Sequence, residues 1–341
     1  MSIYIGMDAH SKTSVFVAVN SRGKELASIR TNTGESGILS FLRSLSGRKS
    51  LAVEESHITN WVFRTVKNEV DQFVAFDASQ IQKRKGPKDD FIDARNIAHQ
   101  LRGNFLTSVF HEDSELSDLR TIVSAYRDVV RDGTRLKNRY KAVFRSNAID
   151  TTGSTIYTDK DRIDELTKDT DRFVTTTMYD QLSHYDELKS RYDDALKSAA
   201  SRLPVIKLLS TIPGISTVRA SIIASVVCSP QRFRSKHEFW SYSMLVKHSQ
   251  VSDGVKYGSI KVAARSDFKE VFVGAAETAI QGKSELRKYY DTQIEQGKDH
   301  WDVKRNVARK IAAISLAVMR KEIPCKFSTD GRTTKRRHRI S

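Results

Sequence analysis

Four acidic side chains near the start of the chain have the types and spacing of a divalent-metal site. Asp8 and Glu54 each end a short apolar stretch, while Asp90 and Asp93 are three residues apart in a helical pattern and so share one face. Carboxylate oxygens are the ligands that Mg²⁺ prefers. Two such ions about 4 Å apart can clamp the attacking and leaving oxygens of a phosphodiester displacement. We therefore predict that Asp8, Glu54, Asp90 and Asp93 bind Mg²⁺ or Mn²⁺ and are catalytic.

Each of these carboxylates also has a structural interpretation. Asp8 could cap the turn after its strand, and Glu54 could be a surface charge with Glu55 as its rival. Asp90 and Asp93 could be first-turn residues that the helix dipole favours. Their joint occurrence in a basic chain favours the metal site over four separate structural roles.

Basic and imidazole side chains accompany the acidic ones. Residues 80–88 form a basic stretch that ends in a Gly-Pro breaker, and we interpret it as a substrate-contacting loop. Lys88 and Arg95 flank the third acidic cluster and could contact phosphate. His10 and His57 lie close to the acidic residues along the chain, and we interpret both as supporting or incidental.

The elements that must position the acidic residues form an α/β pattern. Apolar alternation and helical spacing predict strands at 3–8, 13–19, 25–31, 50–54 and 71–76, and helices at 35–46, 58–69 and 90–103. The turn residues at 20–23 predict that the second and third strands pair as a hairpin. A hairpin followed by alternating helices and strands predicts a layered α/β domain, in the element order of the ribonuclease H-like fold.

The middle of the chain has a different pattern. Apolar residues recur at three- and four-residue steps over 114–203, interrupted by a polar interval at 149–177. This spacing predicts two long amphipathic helices. They could fold on each other or form a dimeric coiled coil, and the sequence leaves both alternatives open.

A mostly helical region follows from residue 204. Residues 208–220 predict a helix, a Pro-Gly turn and a second helix, similar to a helix-hairpin-helix that could accept a phosphate; two core helices are the alternative. Further helices are predicted at 233–246, 268–281 and 303–320, with a turn at Asp253-Gly254. The predicted domains are residues 1–110, 111–203, 204–325 and a basic tail, 326–341.

The charge of the chain is unevenly distributed. The net charge is +16, and residues 204–341 hold 26 Lys and Arg against 12 Asp and Glu, whereas residues 1–203 hold 31 against 29. A basic half joined to a near-neutral half predicts a polyanionic partner, most simply DNA or RNA. The alternative is a basic protein without a specific partner.

Hydropathy and cysteine content indicate the cellular compartment that we expect for the protein. No run of about 18 apolar residues appears, so a membrane span is not expected, and the start lacks a secretory leader pattern. The two cysteines are too few for a disulfide framework, which suits a reducing cytosol. We expect a cytoplasmic, nucleoid-associated protein.

Four short motifs together resemble a known family. They are Ile-Gly-Met-Asp at 5–8, Val-Glu at 53–54, Asp-Phe-Ile-Asp-Ala-Arg at 90–95 and Ile-Pro-Gly-Ile at 212–215. In this order, over roughly residues 3–325, the chain resembles the DEDD-type insertion-sequence transposases, which include Piv-like DNA invertases and bridge-RNA-guided recombinases.

The resemblance implies a fold, a mechanism and partners. It implies a ribonuclease H-like (RuvC-like) metal domain, a helical middle region and a transposase domain with a serine nucleophile, carried over here to Ser252. The serine is implied to lie in a loop after a Leu-containing helix and just before a glycine. It further implies DNA as substrate, a structured guide RNA and a homo-oligomer, a dimer or tetramer. From the residues alone, Ser252 does not stand out among the neighbouring serines.

Three hypotheses from different classes follow. The first is a transposase or recombinase that cuts and rejoins DNA strands with the metal carboxylates and Ser252. The second is a structure-specific nuclease of the Holliday-junction-resolvase kind, which uses water as the nucleophile. The third is a non-catalytic nucleic-acid-binding protein with structural acidic residues. The long basic C-terminal region favours the first.

Overall fold

The computed structural model describes residues 1–80, 89–260 and 266–325, and the chain divides into two compact units at Asp113/Ser114. Residues 81–88 of the loop predicted at 80–88, and the basic tail at 326–341, lie outside the described residues. The prediction of four domains stays a prediction. Among the described residues, no helix is long and apolar enough to cross a membrane.

The first unit contains a five-stranded mixed sheet. Its strands are β1 (Ser2–Ala9), β2 (Thr13–Asn20), β3 (Glu25–Asn32), β4 (Arg48–Glu54) and β5 (Gln72–Phe76), in the order β3-β2-β1-β4-β5. β1, β2 and β3 are antiparallel neighbours, which confirms the predicted hairpin, whereas β4 runs parallel to both β1 and β5. This arrangement is compatible with a ribonuclease H-like domain.

Helices cover both faces of this sheet. Helices α1 (Glu35–Ser44) and α2 (Thr59–Val66) pack on one face, where their apolar residues join Ile3, Ile5 and Met7 of β1 in one core cluster. Helix α3 (Asp90–Arg102) packs on the opposite face through residues such as Ala94 and Ala98. Alternate residues of each central strand therefore point to different helices.

A long helical hairpin begins the second unit. Helices α4 (Glu115–Ser146) and α5 (Asp169–Arg202) run antiparallel, since the ring of Tyr126 lies 6.5 Å from that of Tyr192 and the ring of Tyr140 lies 6.4 Å from that of Tyr179. The two predicted helices are thus present and pack on each other. A dimeric coiled coil stays a prediction. Short 3-10 helices occur at Thr155–Tyr157 and Lys160–Glu165 between them.

The remainder of the second unit is mostly helical around one apolar core. Its elements are α6 (Pro204–Leu209), α7 (Thr217–Val227), α8 (Lys236–Tyr242), β6 (His248–Ser252), β7 (Val255–Ile260), α9 (Ser266–Gln281), α10 (Glu285–Glu295) and α11 (His300–Lys321). The predicted helix–turn–helix at 208–220 is present. Gly214 makes the turn at φ 86°, and a Cβ there would lie 2.1 Å from the carbonyl oxygen of Ala275.

Two parts of this unit differ from the sequence expectation. The helix predicted at 233–246 covers only Lys236–Tyr242, and the polar segment after it forms the antiparallel hairpin β6–β7. Asp253 (φ 49°) and Gly254 (φ 75°) are both left-handed, as a two-residue type I′ hairpin turn requires. The predicted Asp-Gly turn is therefore confirmed, but the strands on each side of it were not predicted.

Candidate metal centre and serine

Asp8 and Glu54 lie at the carboxyl ends of two neighbouring parallel strands. β1 and β4 pair in parallel with Met7 opposite Val53, so the next residue of each strand is Asp8 and Glu54. Because residues of a strand alternate between faces, Asp8 shares the face of Gly6. Glu54 shares the face of Ala52, which packs against residues of α3. Both carboxylates therefore belong to the α3 side of the sheet.

Helix α3 brings two more carboxylates to the same place. Its first turn carries Asp90 and Asp93, and the side chain of Asp89 caps the helix by accepting a hydrogen bond of 2.9 Å from the amide of Phe91. The helix backbone touches β1 at Gly6, where a Cβ would lie only 2.0 Å from the carbonyl oxygen of Ala94. This contact fixes the position of α3 along β1 and places the first turn of the helix at the carboxyl end of that strand.

A tight group of potential metal ligands results. Asp8, His10 and Asp90 each offer a ligand atom, and these atoms all lie within 4.8 Å of one another. His10 Nε2 is 3.3 Å from Asp8 Oδ2. The predicted ligands Asp8 and Asp90 are thus brought together. Glu54 and Asp93 lie outside this three-residue group.

The negative charges in this group are concentrated and only partly balanced. Burial raises the pKa of Asp8 above its ordinary value, and the nearby carboxylates of Asp90 and Asp93 raise it further. The imidazole of His10 acts in the opposite direction and lowers it. Burial first, and the proximity of like charges second, make ionisation of Asp8 costly in the absence of a cation.

Glu54 and a fifth acidic residue belong to the same electrostatic environment. Burial raises the pKa of Glu54, and the charges of Asp8, Asp77 and Asp93 raise it further. Asp77 directly follows β5, the strand next to β4. Its own pKa is lowered, because its side chain accepts hydrogen bonds from the hydroxyl of Ser79 and, at 2.8 Å, from the amide of Ser79. Asp77 is therefore ionised beside Glu54.

The other charged neighbours have partners of their own. Glu55 is the alternative candidate to Glu54, and its Oε2 lies 2.8 Å from Nε2 of His111. Arg95, which could contact phosphate, makes an ion pair of 2.8 Å with Glu25 on β3. Lys88 lies outside the described residues. These pairs leave Glu54 as the strand-end carboxylate that is coupled to Asp8.

Asp90 also has a cationic partner. Arg30 of β3 lies 3.0 Å from Asp90 Oδ2, and its guanidinium lies 5.5 Å from the centre of the Phe91 ring. A metal ion would therefore share Asp90 with Arg30. The remaining carboxylates and the imidazole still make a donor set of oxygen with one nitrogen, which fits Mg²⁺ or Mn²⁺. A cation there would relieve the repulsion that raises the pKa values of Asp8 and Glu54.

Ser252 belongs to the second unit. It is the last residue of β6, pairs with Val255 of β7 and is exposed beside the type I′ turn. The resemblance implied a serine in a loop before a glycine. Here the serine instead ends a strand, two residues before Gly254. An exposed hydroxyl at the tip of a hairpin is accessible to a large substrate.

Sequence reasoning gave two residues near this centre too little weight. His10 was interpreted as supporting or incidental, although its ring nitrogen is one of the three converging atoms. Asp77 was not considered at all. Asp77 could have been found by the feature that identified Glu54, a carboxylate at the end of an apolar strand.

Comparison with known proteins identifies the family. Residues 5–147 match the DEDD-type family described as "Transposase", and residues 206–291 match the family described as "Transposase IS116/IS110/IS902 family". No curated protein matches the chain. The matched segments occur in the same order as the motifs and include Asp8, Glu54, Asp90, Asp93 and Ser252. The chain belongs to the DEDD-type insertion-sequence transposases of the IS110 group, DNA-binding enzymes that cut and rejoin DNA.

Proposed function

We propose that this transposase is a recombinase with two chemical parts, a divalent-metal centre formed by Asp8, Glu54, Asp90 and Asp93, and a serine nucleophile at Ser252. The observation that carries the first part is the convergence of side chains from β1, its following turn and α3 on one edge of the sheet. The serine rests on the family motif and on its exposed position at the end of β6.

The carboxylates would hold Mg²⁺ or Mn²⁺, which when bound stabilises negative charge on phosphate oxygens and activates a nucleophile. The protein contributes the arrangement of the ligands. Asp8 and Glu54 are fixed by the strand pairing of β1 and β4, and Asp90 by the contact of α3 with Gly6. Rigid elements of this kind hold ligands more accurately than loops do.

The serine would form a covalent link to DNA. The oxygen of Ser252 attacks the phosphorus, its bond to phosphorus forms, and the bond from phosphorus to the departing deoxyribose oxygen breaks. The proton lost by the serine hydroxyl is balanced by the proton gained by the departing hydroxyl. A different DNA end then attacks the phosphoserine and releases the serine, so strands are rejoined without an external energy source.

The partners of this reaction are part of the proposal. DNA binding is a property of the family, and the basic charge of residues 204–341 suits it. We propose in addition a structured guide RNA and a homo-oligomer, a dimer or tetramer. Co-purifying RNA that is required for cleavage, and a mass measurement of the active complex, test these two points.

A trapping experiment tests the nucleophile. Wild-type protein incubated with its DNA substrate and Mg²⁺ should give a protein–DNA adduct that survives denaturation, and mass spectrometry should find the modification on Ser252. Ser252→Ala should abolish the adduct, whereas Ser249→Ala, a serine on the same strand, should retain it. An adduct on another residue would reject Ser252 as the nucleophile.

The same experiment distinguishes the proposed recombinase from the resolvase-like nuclease. A nuclease that uses water would cut DNA with Ser252→Ala at an undiminished rate and would never form the adduct. Both functions share the carboxylates, so Asp8→Asn should stop cleavage in either case. If Asp8→Asn and Asp90→Asn leave all DNA processing unchanged, the chain binds nucleic acid without catalysing.

A further inference from the structure

His10 is held in place by backbone contacts on both of its sides. Its amide donates a hydrogen bond of 3.1 Å to the carbonyl oxygen of Thr13, and its carbonyl oxygen accepts one of 2.6 Å from the hydroxyl of Thr33. The Thr33 hydroxyl also lies 2.6 Å from that of Ser14, which is buried. The main chain at residue 10 is therefore fixed, and the position of the imidazole depends only on its own side-chain torsions.

The spacing of the ring nitrogen suits coordination. Adjacent ligands around an octahedral ion with bonds of about 2.1 Å are about 3 Å apart, and opposite ligands are about 4.2 Å apart. His10 Nε2 lies 3.3 Å from Asp8 Oδ2, and the ligand atoms of Asp8, His10 and Asp90 lie within 4.8 Å of one another. We infer that His10 is a direct nitrogen ligand of the metal at this centre, an inference that rests on the proposed metal site.

A nitrogen ligand changes which ion the centre favours. Mg²⁺ keeps oxygen ligands and water, whereas imidazole suits transition metals. The Asp8–His10–Asp90 group therefore takes Mn²⁺ in preference to Mg²⁺. The alternative role of His10, a partner of Asp8 alone, predicts no such preference, because the ring nitrogen then does not contact the ion.

Pulsed electron paramagnetic resonance distinguishes the two roles. The tag-free protein loaded with Mn²⁺ should show ¹⁴N modulation of the Mn²⁺ echo, and His10→Ala should lose it. His57→Ala, which removes an exposed histidine three residues after Glu54, should keep it. Absence of the modulation in the wild type, or its loss in His57→Ala, would overturn the inference.

Binding titrations provide the second readout. We expect His10→Ala to raise the Kd for Mn²⁺ about ten-fold or more while changing the Kd for Mg²⁺ much less. Asp8→Asn should weaken both ions. If Asp8→Asn leaves Mn²⁺ binding intact, the proposed carboxylate site itself fails. If binding depends on Asp8 but not on His10, only the inference about His10 fails.

A separate site is suggested by a basic cavity in the second unit. A cavity of about 570 Å³ lies between α8, α10 and α11 and is lined by Lys236, Trp240, Tyr289, Arg309 and Lys310, among others. Lys310 Nζ lies 4.1 Å from the centre of the Tyr289 ring, and Lys236 Nζ lies 5.5 Å from that of Trp240. These contacts hold two ammonium groups against aromatic rings at the cavity.

The charges of this cavity are not balanced. Within the part of the chain that the structure describes, no carboxylate forms an ion pair with Lys236, Arg309 or Lys310, and Glu285 in the lining pairs with Lys288 at 2.7 Å. Cations beside aromatic rings recognise phosphate together with a flat base. We propose that this cavity binds an unpaired nucleotide of a nucleic-acid strand.

Fluorescence of Trp240 tests this second proposal. In a variant with Trp61→Phe and Trp301→Phe, the remaining tryptophan reports on the cavity. A single-stranded dT oligonucleotide should quench it, and Lys310→Gln should raise the Kd about ten-fold. Lys298→Gln, a charge-matched exposed control, should change the Kd less than two-fold.

Three results would reject this site. Equal weakening by Lys298→Gln would mean that binding depends on total charge alone. Equal quenching by duplex DNA would mean that no unpaired base is recognised. Quenching by thymidine monophosphate but not by the oligonucleotide would mean that the cavity takes a free nucleotide rather than a strand.

Discussion

Individual side chains at the proposed metal centre cluster negative charge, which lowers the stability of the fold when no cation is bound. The pKa of Asp8 is raised first by burial and then by neighbouring carboxylates, so keeping Asp8 ionised near neutral pH disfavours the folded state. Glu54 has the same kind of environment. This conflict between charge clustering and stability is common at functional sites.

Replacing Asp8 tests the conflict directly. We expect Asp8→Asn to raise the free energy of unfolding of the metal-free protein by on the order of 1 kcal/mol, because a costly buried charge is removed. The same variant should lose the stabilisation that Mg²⁺ gives the wild type, and should lose cleavage. Thermal melts in EDTA and in Mg²⁺ measure both effects. A lower melting temperature of the variant in EDTA would contradict the argument.

The pH dependence follows from the same shift. A carboxyl group whose pKa is raised in the folded state contributes stability below its unfolded value, and that contribution is lost as pH rises through the folded pKa. The ordinary pKa of an aspartate is 3.8. In EDTA, the stability advantage of Asp8→Asn over the wild type should therefore be largest near neutral pH and shrink toward pH 4. Melts across this range check the trend, and an advantage that grows on acidification would refute it.

At the scale of elements, one glycine sets the distance between β1 and α3. A Cβ at Gly6 would lie 2.0 Å from the oxygen of Ala94 and 2.5 Å from the nitrogen of Ala98, both backbone atoms. Neither can move without moving the helix that carries Asp90. The contact thus couples packing of α3 to the geometry of the proposed metal ligands.

Substitution at this glycine should be severe. We expect Gly6→Ala to lower the free energy of unfolding by about 3 kcal/mol or more, or to displace α3 and abolish metal binding. Gly34→Ala has open space around the new Cβ but replaces the N-cap glycine of α1, so it should lower the free energy of unfolding by only about 1 kcal/mol or less. Chemical denaturation with Mn²⁺ titration measures both variants. Equal stability of the two variants with intact Mn²⁺ binding would disprove the coupling.

A second pair of glycines allows the cost of left-handed backbone strain to be distinguished from the cost of a steric collision. Gly214 and Gly153 have φ of 86° and 80°, but only Gly214 would collide with a neighbour, the Ala275 oxygen at 2.1 Å. Both alanine variants bear a strain of about 1 to 2 kcal/mol. The collision adds a second cost, so Gly214→Ala should lower the free energy of unfolding by about 2 kcal/mol more than Gly153→Ala does. Denaturant midpoints compare them, and similar midpoints would mean that the turn can relax.

At the scale of the whole molecule, charge is concentrated in the second half of the chain. Residues 326–341 alone contain six Lys and Arg and one Asp. Neutralised phosphates release counterions, so affinity for duplex DNA falls with salt in proportion to the number of contacts. The basic half therefore predicts strong, salt-dependent nucleic-acid binding.

Removing the tail tests how much of this binding it contributes. If all six cations contact phosphate, truncation after Cys325 should reduce the slope of log K against log salt by about 5. Fluorescence anisotropy with labelled duplex at several salt concentrations measures the slope. An unchanged slope would show that the tail makes no phosphate contacts, and the binding would then belong to residues before it.

Elements with strong apolar periodicity, and the residues at their ends, could be predicted from the sequence. Apolar alternation ending in Asp8 and in Glu54 predicted both strands, and helical spacing predicted the helix that begins at Asp90. The strands of the β6–β7 hairpin were not predicted, because their polar residues lack that periodicity, although the Asp-Gly turn between them was.

Which side chains share the proposed centre depends on tertiary packing. Strand pairing and the approach of α3 at Gly6 determine that Glu54, and not Glu55, belongs to the face of Asp8. The same packing brings in His10, whose sequence position carries no periodic signal, and Asp77, which directly follows the apolar strand β5. The physical reason is that periodicity along a strand assigns a residue to one of two faces, whereas the identity of the helix on each face depends on contacts between distant segments.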